Sequence, residues 1–283
     1  MMSDDANAAQ IEYWNEVSGP KWVAMQEDLD KQLDPLQDAL IEFVNAEEGD
    51  SILDVGCGCG GSSLAFARIV GKDGRVDGLD ISQPMLSHAQ SRVNELGLEN
   101  VTFRQGDAQV EMLDAASYDF VVSRFGIMFF DDPAAAFPNL KSALKPGGSL
   151  NFICWRPARE NPWMTVPMMG AAKHVDMPPP PEPNAPGPFA LSDADWTRGL
   201  LTDAGFGDVI IEPYDAVLHV GPGGTLDASV DFATKIGPVS SILKDADAET
   251  MEKVKASMRE ALKPFETEDG VKLAFAAWLV RAR

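Results

Sequence analysis

Three carboxylates and a run of glycines stand at spacings that suit nucleoside binding. Asp54 lies two residues before Gly56, and Gly56, Cys57, Gly58, Cys59, Gly60 and Gly61 follow it without a break. Asp80 ends the apolar stretch 76–79, and Asp107 follows Val101-Thr-Phe-Arg-Gln-Gly106. Glycines in such a turn let the backbone bend tightly and approach a ligand closely. A helix starting behind the turn offers unpaired N–H groups. An acid about 20 residues beyond a glycine turn accepts hydrogen bonds from ribose hydroxyls, and Asp80 is at that distance. Asp54 sits where a dinucleotide would place its pyrophosphate. Two anions there repel, whereas a cationic amino group is attracted. These residues predict a nucleoside that carries a positively charged tail.

A second set lies downstream. Arg124 follows directly on Phe120-Val-Val-Ser123, and Arg156 and Arg159 follow Trp155. A guanidinium binds a carboxylate or phosphate through a two-point fork. The competing role for Arg124 is an ion pair with Asp131, Asp132 or an acid of the N-terminal segment. His174 and Tyr214 are candidate general bases and His219 a weaker one, each against a structural role. His88 is expected on the solvent side of its helix. Trp22, Phe125, Trp155 and Trp163 are expected as pocket walls. Cys57 and Cys59 are expected to fill small positions in the turn, with no metal, because no other ligand cluster accompanies them.

The elements that must position these residues alternate between strand and helix. Strand 51–55 leads to helix 62–70, with Ser62 or Ser63 as its cap. Strand 75–80 leads to helix 83–96, capped by Ser82 with Pro84 in its first turn. Strand 101–104, strand 118–123, helix 134–145 and strand 149–154 follow. Upstream, Asp34 and Pro35 read as cap and first residue of a helix whose stripe is Leu36, Ala39, Leu40, Phe43 and Val44. Downstream, Met177 to Pro188 is too rich in proline for helix or central strand. Helix 192–204, capped by Ser192, strand 208–220, helices 225–236 and 246–264, and strand 271–282 complete the chain. Ligands of such sheets bind outside the carboxyl ends of the strands, so Gly56, Asp80 and Asp107 face one ligand while Arg124 and Arg156 face another.

The chain resembles the class I S-adenosylmethionine-dependent methyltransferases, in particular the ubiquinone/menaquinone-biosynthesis type. The resemblance rests on Asp54-Val-Gly-Cys-Gly-Cys-Gly60, Gly78-Leu-Asp80-Ile-Ser82, Gly106-Asp107-Ala108 and Leu144-Lys-Pro-Gly-Gly148, all within 45–155. The glycine motif alone also fits a dinucleotide fingerprint, and four motifs in order are more specific. The resemblance implies an α/β fold: a Rossmann-like, doubly wound, seven-stranded sheet, mostly parallel with an antiparallel last strand. It implies an N-terminal helical flap (1–46) and a cofactor-binding core (47–155); the proline-rich stretch 156–191 follows a strand end directly and reads as a cap, against a linker between domains, and 192–283 completes the sheet and carries inserted helices 225–264. The implied cofactor is S-adenosylmethionine, with S-adenosylhomocysteine as product. Its implied contacts from the glycine turn and second strand are Asp54, Gly56, Cys57, Gly58, Gly60, Asp80, Ile81 and Met85. Further along they are Gly106, Asp107, Ala108, Ser123, Arg124 and Phe125, with Trp22 from the flap. The acceptor is expected against Tyr13, Trp14, Met128, Trp155, Arg156, Arg159 and Trp163, with Arg124, His174 and Tyr214 as catalytic candidates.

Composition narrows the partners. The formal net charge of −21 over 283 residues repels phosphate backbones and anionic lipid, so neither nucleic acid nor a stable membrane seat is expected. The polar, acidic start lacks the features of a signal peptide, and three cysteines make no disulfide framework, so a cytoplasmic monomer or homodimer is expected. The predicted function is methyl transfer to an O, N, S or C atom of a small, anionic metabolite. The alternatives are an NAD-dependent oxidoreductase and a catalytically silent S-adenosylmethionine-binding partner subunit.

Overall fold

The computed structural model describes residues 7–283. The opening of the N-terminal segment, residues 1–6, lies outside them. Five strands run parallel: β1 (Ser51–Val55), β2 (Arg75–Asp80), β3 (Val101–Gln105), β4 (Tyr118–Arg124) and β5 (Leu144–Trp155). β6 (Val209–His219) closes the sheet, the two-residue β7 (Glu266–Thr267) leads into the last strand, and β8 (Gly270–Ala282) inserts between β5 and β6, antiparallel to both. The path is β3-β2-β1-β4-β5-β8-β6, so seven strands form the sheet and β7 only pairs with β8. The strand order reverses between β1 and β4, and a crevice opens there at the carboxyl ends. Ile52, Leu53, Val121, Leu150 and Phe152 are fully buried, as strands covered on both faces must be.

Helices α1 (Ala8–Glu12), α2 (Ser18–Ala24) and α3 (Gln26–Val44) precede the sheet, with one turn of π-helix, Tyr13–Val17, after α1. The sheet is covered by α4 (Gly61–Val70), α5 (Gln83–Leu96), α6 (Pro133–Ala143) and, further along, α8 (Ala194–Asp203). Between them, α7 (Pro162–Ala171) follows β5; α9 (Leu226–Lys235), α10 (Pro238–Ile242) and α11 (Ala248–Leu262) fill the stretch between β6 and β7. These last helices and α7 share a separate core of Ala171, Val230, Val254, Met258 and Leu262.

Local rules misplaced several boundaries. Pro35 starts no helix: α3 runs through it. An interior proline costs a helix about 3 kcal/mol. Burying Leu29, Leu33, Leu36, Leu40 and Val44 on one continuous face recovers about 1.5–3 kcal/mol per side chain and outweighs that cost. Ser62 and Ser63 do not cap α4, whose cap is the left-handed Gly60. Asp193, not Ser192, caps α8 by accepting the N–H groups of Asp195 and Trp196. The segment after β5 also contains a helix that its proline content concealed. Pro162 occupies the first turn of α7, where its missing N–H costs nothing.

Candidate active site

The crevice between the carboxyl ends of β1 and β4 widens into one cavity of about 1490 Å³. Its inner half lies over β1 to β3. Gly56 has a left-handed backbone, φ +67°, and a Cβ there would stand 2.6 Å from the Cα of Gly126. Two turns thus approach backbone to backbone, which only glycine permits. The N–H of Gly56 donates to Leu79 O at 2.8 Å, fixing the turn on β2. Asp80 then accepts from Gly58 N–H through Oδ2 and from Ser82 N–H through Oδ1, both at 2.8 Å. Burial raises its pKa to about 6 against the pull of those two N–H groups, and among the described residues no cation pairs with it. Asp107 accepts from Gln109 N–H and from the side-chain amide of Asn7, both at 2.9 Å. Cys57, Gly58, Ile81, Met85, Gly106 and Ala108 line the same half. Burial pushes the Cys57 and Cys59 thiols up, that of Cys59 to about 12, so both remain protonated fillers of the turn.

Three residues expected at the cofactor face elsewhere. Asp54 is fully buried beneath the turn and takes the hydroxyls of Ser62 (2.7 Å) and Ser63 (2.6 Å) on Oδ2. It lies outside the cavity wall, where Oδ2 anchors α4 and Oδ1 has no partner among the described residues. Burial raises its pKa, opposed by those hydroxyls. Gly60 caps α4 outside the wall. Ser123 is buried, donating to Val55 O at 2.7 Å and accepting from Gly126 and Ile127 N–H, each at 3.2 Å. Its place is in the joint between β1 and the turn after β4.

The outer half is built of rings and thioethers. Phe125, held at a left-handed φ of 62°, stacks on Trp155 with centroids 4.1 Å apart. Strain of this kind persists only where the surroundings enforce it, and it clusters at working sites. Trp163 lies 5.0 Å from Trp155, and Trp14 meets Phe129 edge-on at 5.2 Å. Tyr13, Trp22, Met128, Met164, Met168 and prolines of the 178–188 stretch add to the wall. Gly187 N–H donates to Met128 O at 3.0 Å and ties that stretch down. Ile236, Pro238 and Ile242, from the helices between β6 and β7, close the far side.

All three arginines expected to bind an anion already have carboxylates. Arg124 is largely buried, with Nη2 3.5 Å from Asp30 Oδ1 and Nη1 without a partner among the described residues. Asp30, on α3, is also held by Arg92 at 2.9 Å. Arg156 pairs with Glu160 (2.5 Å) and Asp215 (2.8 Å) and lies over the Trp278 ring, while the exposed Arg159 pairs with Glu160 at 3.2 Å. The candidate bases are elsewhere. His174 meets Ser257 Oγ at 2.7 Å on the outer surface, and the Tyr214 hydroxyl donates to Pro35 O at 3.3 Å. His219 sits 3.4 Å from Asp269. None of the three lines the cavity. His88 is half-buried against Gln26 Oε1 at 3.2 Å rather than exposed.

Sequence reasoning missed Asn7, Gln26 and Asp30, all of which line the cavity. Asn7 precedes a helix while Gln26 and Asp30 lie on one, and no local pattern marks any of them. Among the described residues no helix is long and apolar enough to cross a membrane.

Residues 52–148 match the family model described as Methyltransferase domain. Over 114 residues the chain is 31% identical to demethylmenaquinone methyltransferase of Bacillus subtilis (strain 168), covering 40% of this chain and 49% of the relative. Over 118 residues it is 30% identical to aklanonic acid methyltransferase DauC of Streptomyces sp. (strain C5), covering 42% and 54%. The chain thus spans about half the length of the curated relatives it matches. A crystal structure titled as a putative methyltransferase (BH2331) from Bacillus halodurans shares the fold, with a TM-score of 0.55 at 21% identity over 87% of this chain and 97% of that one.

Proposed function

With residues 52–148 a class I S-adenosylmethionine-dependent methyltransferase domain, we propose that the chain as a whole methylates a small, mostly apolar metabolite. The observation that carries this reading is one cavity with two unlike halves, the Asp80 turn opening directly into an aromatic chamber. The inner half fits S-adenosylmethionine. Asp80 would hold the ribose hydroxyls, Asp107 the adenine edge, and the turn 56–58 the amino-acid tail. The close approach of Gly56 to Gly126 and the uncompensated Asp80 carboxylate are what such a ligand uses.

When bound, the cofactor supplies a methyl group on a sulfonium, whose S–C bond breaks as the acceptor–C bond forms and whose sulfur keeps the electron pair as a neutral thioether. The chain's own part is alignment and exclusion of water, which contribute up to about 7–11 kcal/mol when reacting atoms are held in near-attack geometry. Phe125, Trp155, Trp163 and Trp14 form the surfaces that would hold an apolar acceptor against the inner half. The paired arginines leave less support for an anionic acceptor than their positions in sequence suggested. The relatives above are named for small-molecule acceptors, demethylmenaquinone and aklanonic acid.

The test has two arms. Calorimetry should show binding of S-adenosylhomocysteine and none of NADH. Labelled methyl groups should pass to an acceptor in a metabolite extract, enriched in the apolar fraction. Cofactor binding without any transfer would assign the chain to a silent partner role instead, and transfer confined to anionic acceptors would return the arginines to the acceptor site.

A further inference from the structure

Asn7 is only 5% exposed although it stands at the very start of the described chain. It caps α1 in a left-handed conformation, φ 59° and ψ 11°, which asparagine tolerates better than most residues. Its side-chain amide faces two ways. Nδ2 donates to Asp107 Oδ2 at 2.9 Å, and Oδ1 accepts from the backbone N–H of Asp131 at 2.8 Å. Asn7 therefore joins the loop after β3 to the loop after β4, and it lines the cavity at that point. Nearby contacts fasten the same segment to the end of β2. Asn15 Nδ2 donates to Ile81 O and its Oδ1 accepts from Gln83 N–H, both at 3.0 Å, while Ser82 Oγ donates to Trp14 O at 2.8 Å. Between these fastenings, Tyr13 and Trp14 form part of the outer half's wall.

The Asp107 carboxylate is only partly used. A carboxylate offers about four acceptor sites, of which Gln109 and Asn7 take two. We infer that Asn7 is a positioning residue for the purine: it holds the Asp107 carboxylate so that its remaining lone pairs face an exocyclic amino group, and it makes filling of the purine pocket and closure of residues 7–24 one event. This rests on the reading of Asp107 as the adenine contact. A 6-amino purine gains from the held carboxylate, whereas a 6-oxo purine turns a carbonyl oxygen toward it and is repelled.

The experiment compares S-adenosylhomocysteine with S-inosylhomocysteine by calorimetry on the wild type, Asn7→Ala and Asn7→Asp. The wild type should prefer the amino purine by about tenfold or more. Asn7→Ala should lose most of that preference, weakening the amino purine by about tenfold while the oxo purine barely changes. Asn7→Asp keeps an acceptor for Asp131 N–H but sets a second carboxylate against Asp107, and it should lose at least as much. Hydrogen exchange supplies a readout on the segment itself: residues 8–24 should gain protection on S-adenosylhomocysteine binding in the wild type and not in Asn7→Ala. Equal losses for both purines would reduce Asn7 to a structural anchor, and unchanged affinities would remove it from the site; either overturns the inference. A wild type that binds both purines equally would remove the Asp107 contact and this inference with it. A wild type that binds neither would instead overturn the proposed function.

Discussion

Under β1 to β3 the cavity is lined by short turns that carry the Asp80 and Asp107 carboxylates beside Cys57, Ile81 and Met85. Beyond β4 and β5 it is lined by rings, thioethers and prolines drawn from the N-terminal helices, the stretch after β5 and the helices before β7. The inner half is held to the sheet by backbone hydrogen bonds, such as Gly56 N–H to Leu79 O. The outer half is held by side-chain packing, such as Phe125 on Trp155. Backbone cradles fix the identity of one ligand because they cannot change shape without breaking the sheet. Walls of side chains are exchanged one residue at a time and set which acceptor fits. Charge divides the same way. The inner half keeps a carboxylate with no cation paired to it among the described residues, Asp80, while the arginines at the outer side each have a carboxylate neighbour, Arg124 sharing Asp30 with Arg92.

The strongest test of that division is Gly56→Ala. The added methyl meets the Gly126 backbone, and the left-handed φ penalises any side chain. Strain of about 1–2 kcal/mol and overpacking of about 1–3 kcal/mol should add, lowering stability in denaturant titration and removing S-adenosylhomocysteine binding. A variant with wild-type stability and affinity would show that the cradle is not rigid. Asp80→Ala should act next, costing about 1–3 kcal/mol of S-adenosylhomocysteine affinity while leaving the binding of an apolar acceptor analogue unchanged. Its pH arm sharpens the point. The carboxylate form accepts the ribose hydroxyls, so affinity should be level above neutrality and fall as pH drops through about 6. Stability of the ligand-free chain should move the opposite way. A raised native pKa gives Asp80 a stabilising contribution that is full below its ordinary 3.8 and lost as pH rises through about 6. Asp80→Asn should flatten both curves, and an affinity that ignores pH across this window would remove Asp80 from the site.

Arg124→Ala should have a smaller effect. Asp30 keeps Arg92 and is not stranded, so the loss of stability should stay well below the cost of a buried pair broken outright, about 3–5 kcal/mol, with acceptor KM changed little. A rise of a hundredfold in KM for an anionic acceptor, at unchanged cofactor affinity, would make Arg124 an anion receptor and erase the contrast in charge between the halves. Smallest of all, His174→Ala and Tyr214→Phe should leave kcat/KM within about twofold, as expected for sites away from the cavity. Loss of turnover in His174→Ala would mean that the outer surface folds inward during the reaction.

What could be read from the chain follows the same line. The sheet was legible because each strand is a short apolar run bounded by turn residues, as strands buried on both faces are. The inner half was legible because its parts are close in the chain: Asp80 meets Gly58 across 22 positions. Even there, Asp54 was read as a ligand contact, because a sequence shows that a charge is near a turn but not which side of the sheet it faces. Pro35 was read as a helix start because local rules do not weigh a buried leucine stripe on both sides of it.

The amino-acid sequence by itself determined the doubly wound sheet, the glycine turn and the acid at the end of the second strand. These arise from backbone preferences and contacts between neighbouring segments, which any folded form of this chain would have to satisfy. Only the tertiary structure decided which polar groups meet from afar. Asp30 reaches Arg124 across 94 positions, Asn7 reaches Asp107 across 100, and Tyr214 is drawn to Pro35 across 179. Those pairings gave an expected anion receptor a carboxylate neighbour, set an unmarked asparagine against Asp107 and took a candidate base away from the cavity. They depend on how the helices before the sheet pack across it, and a side chain's neighbours at such distances are fixed by the packing of whole elements rather than by any residue's own type.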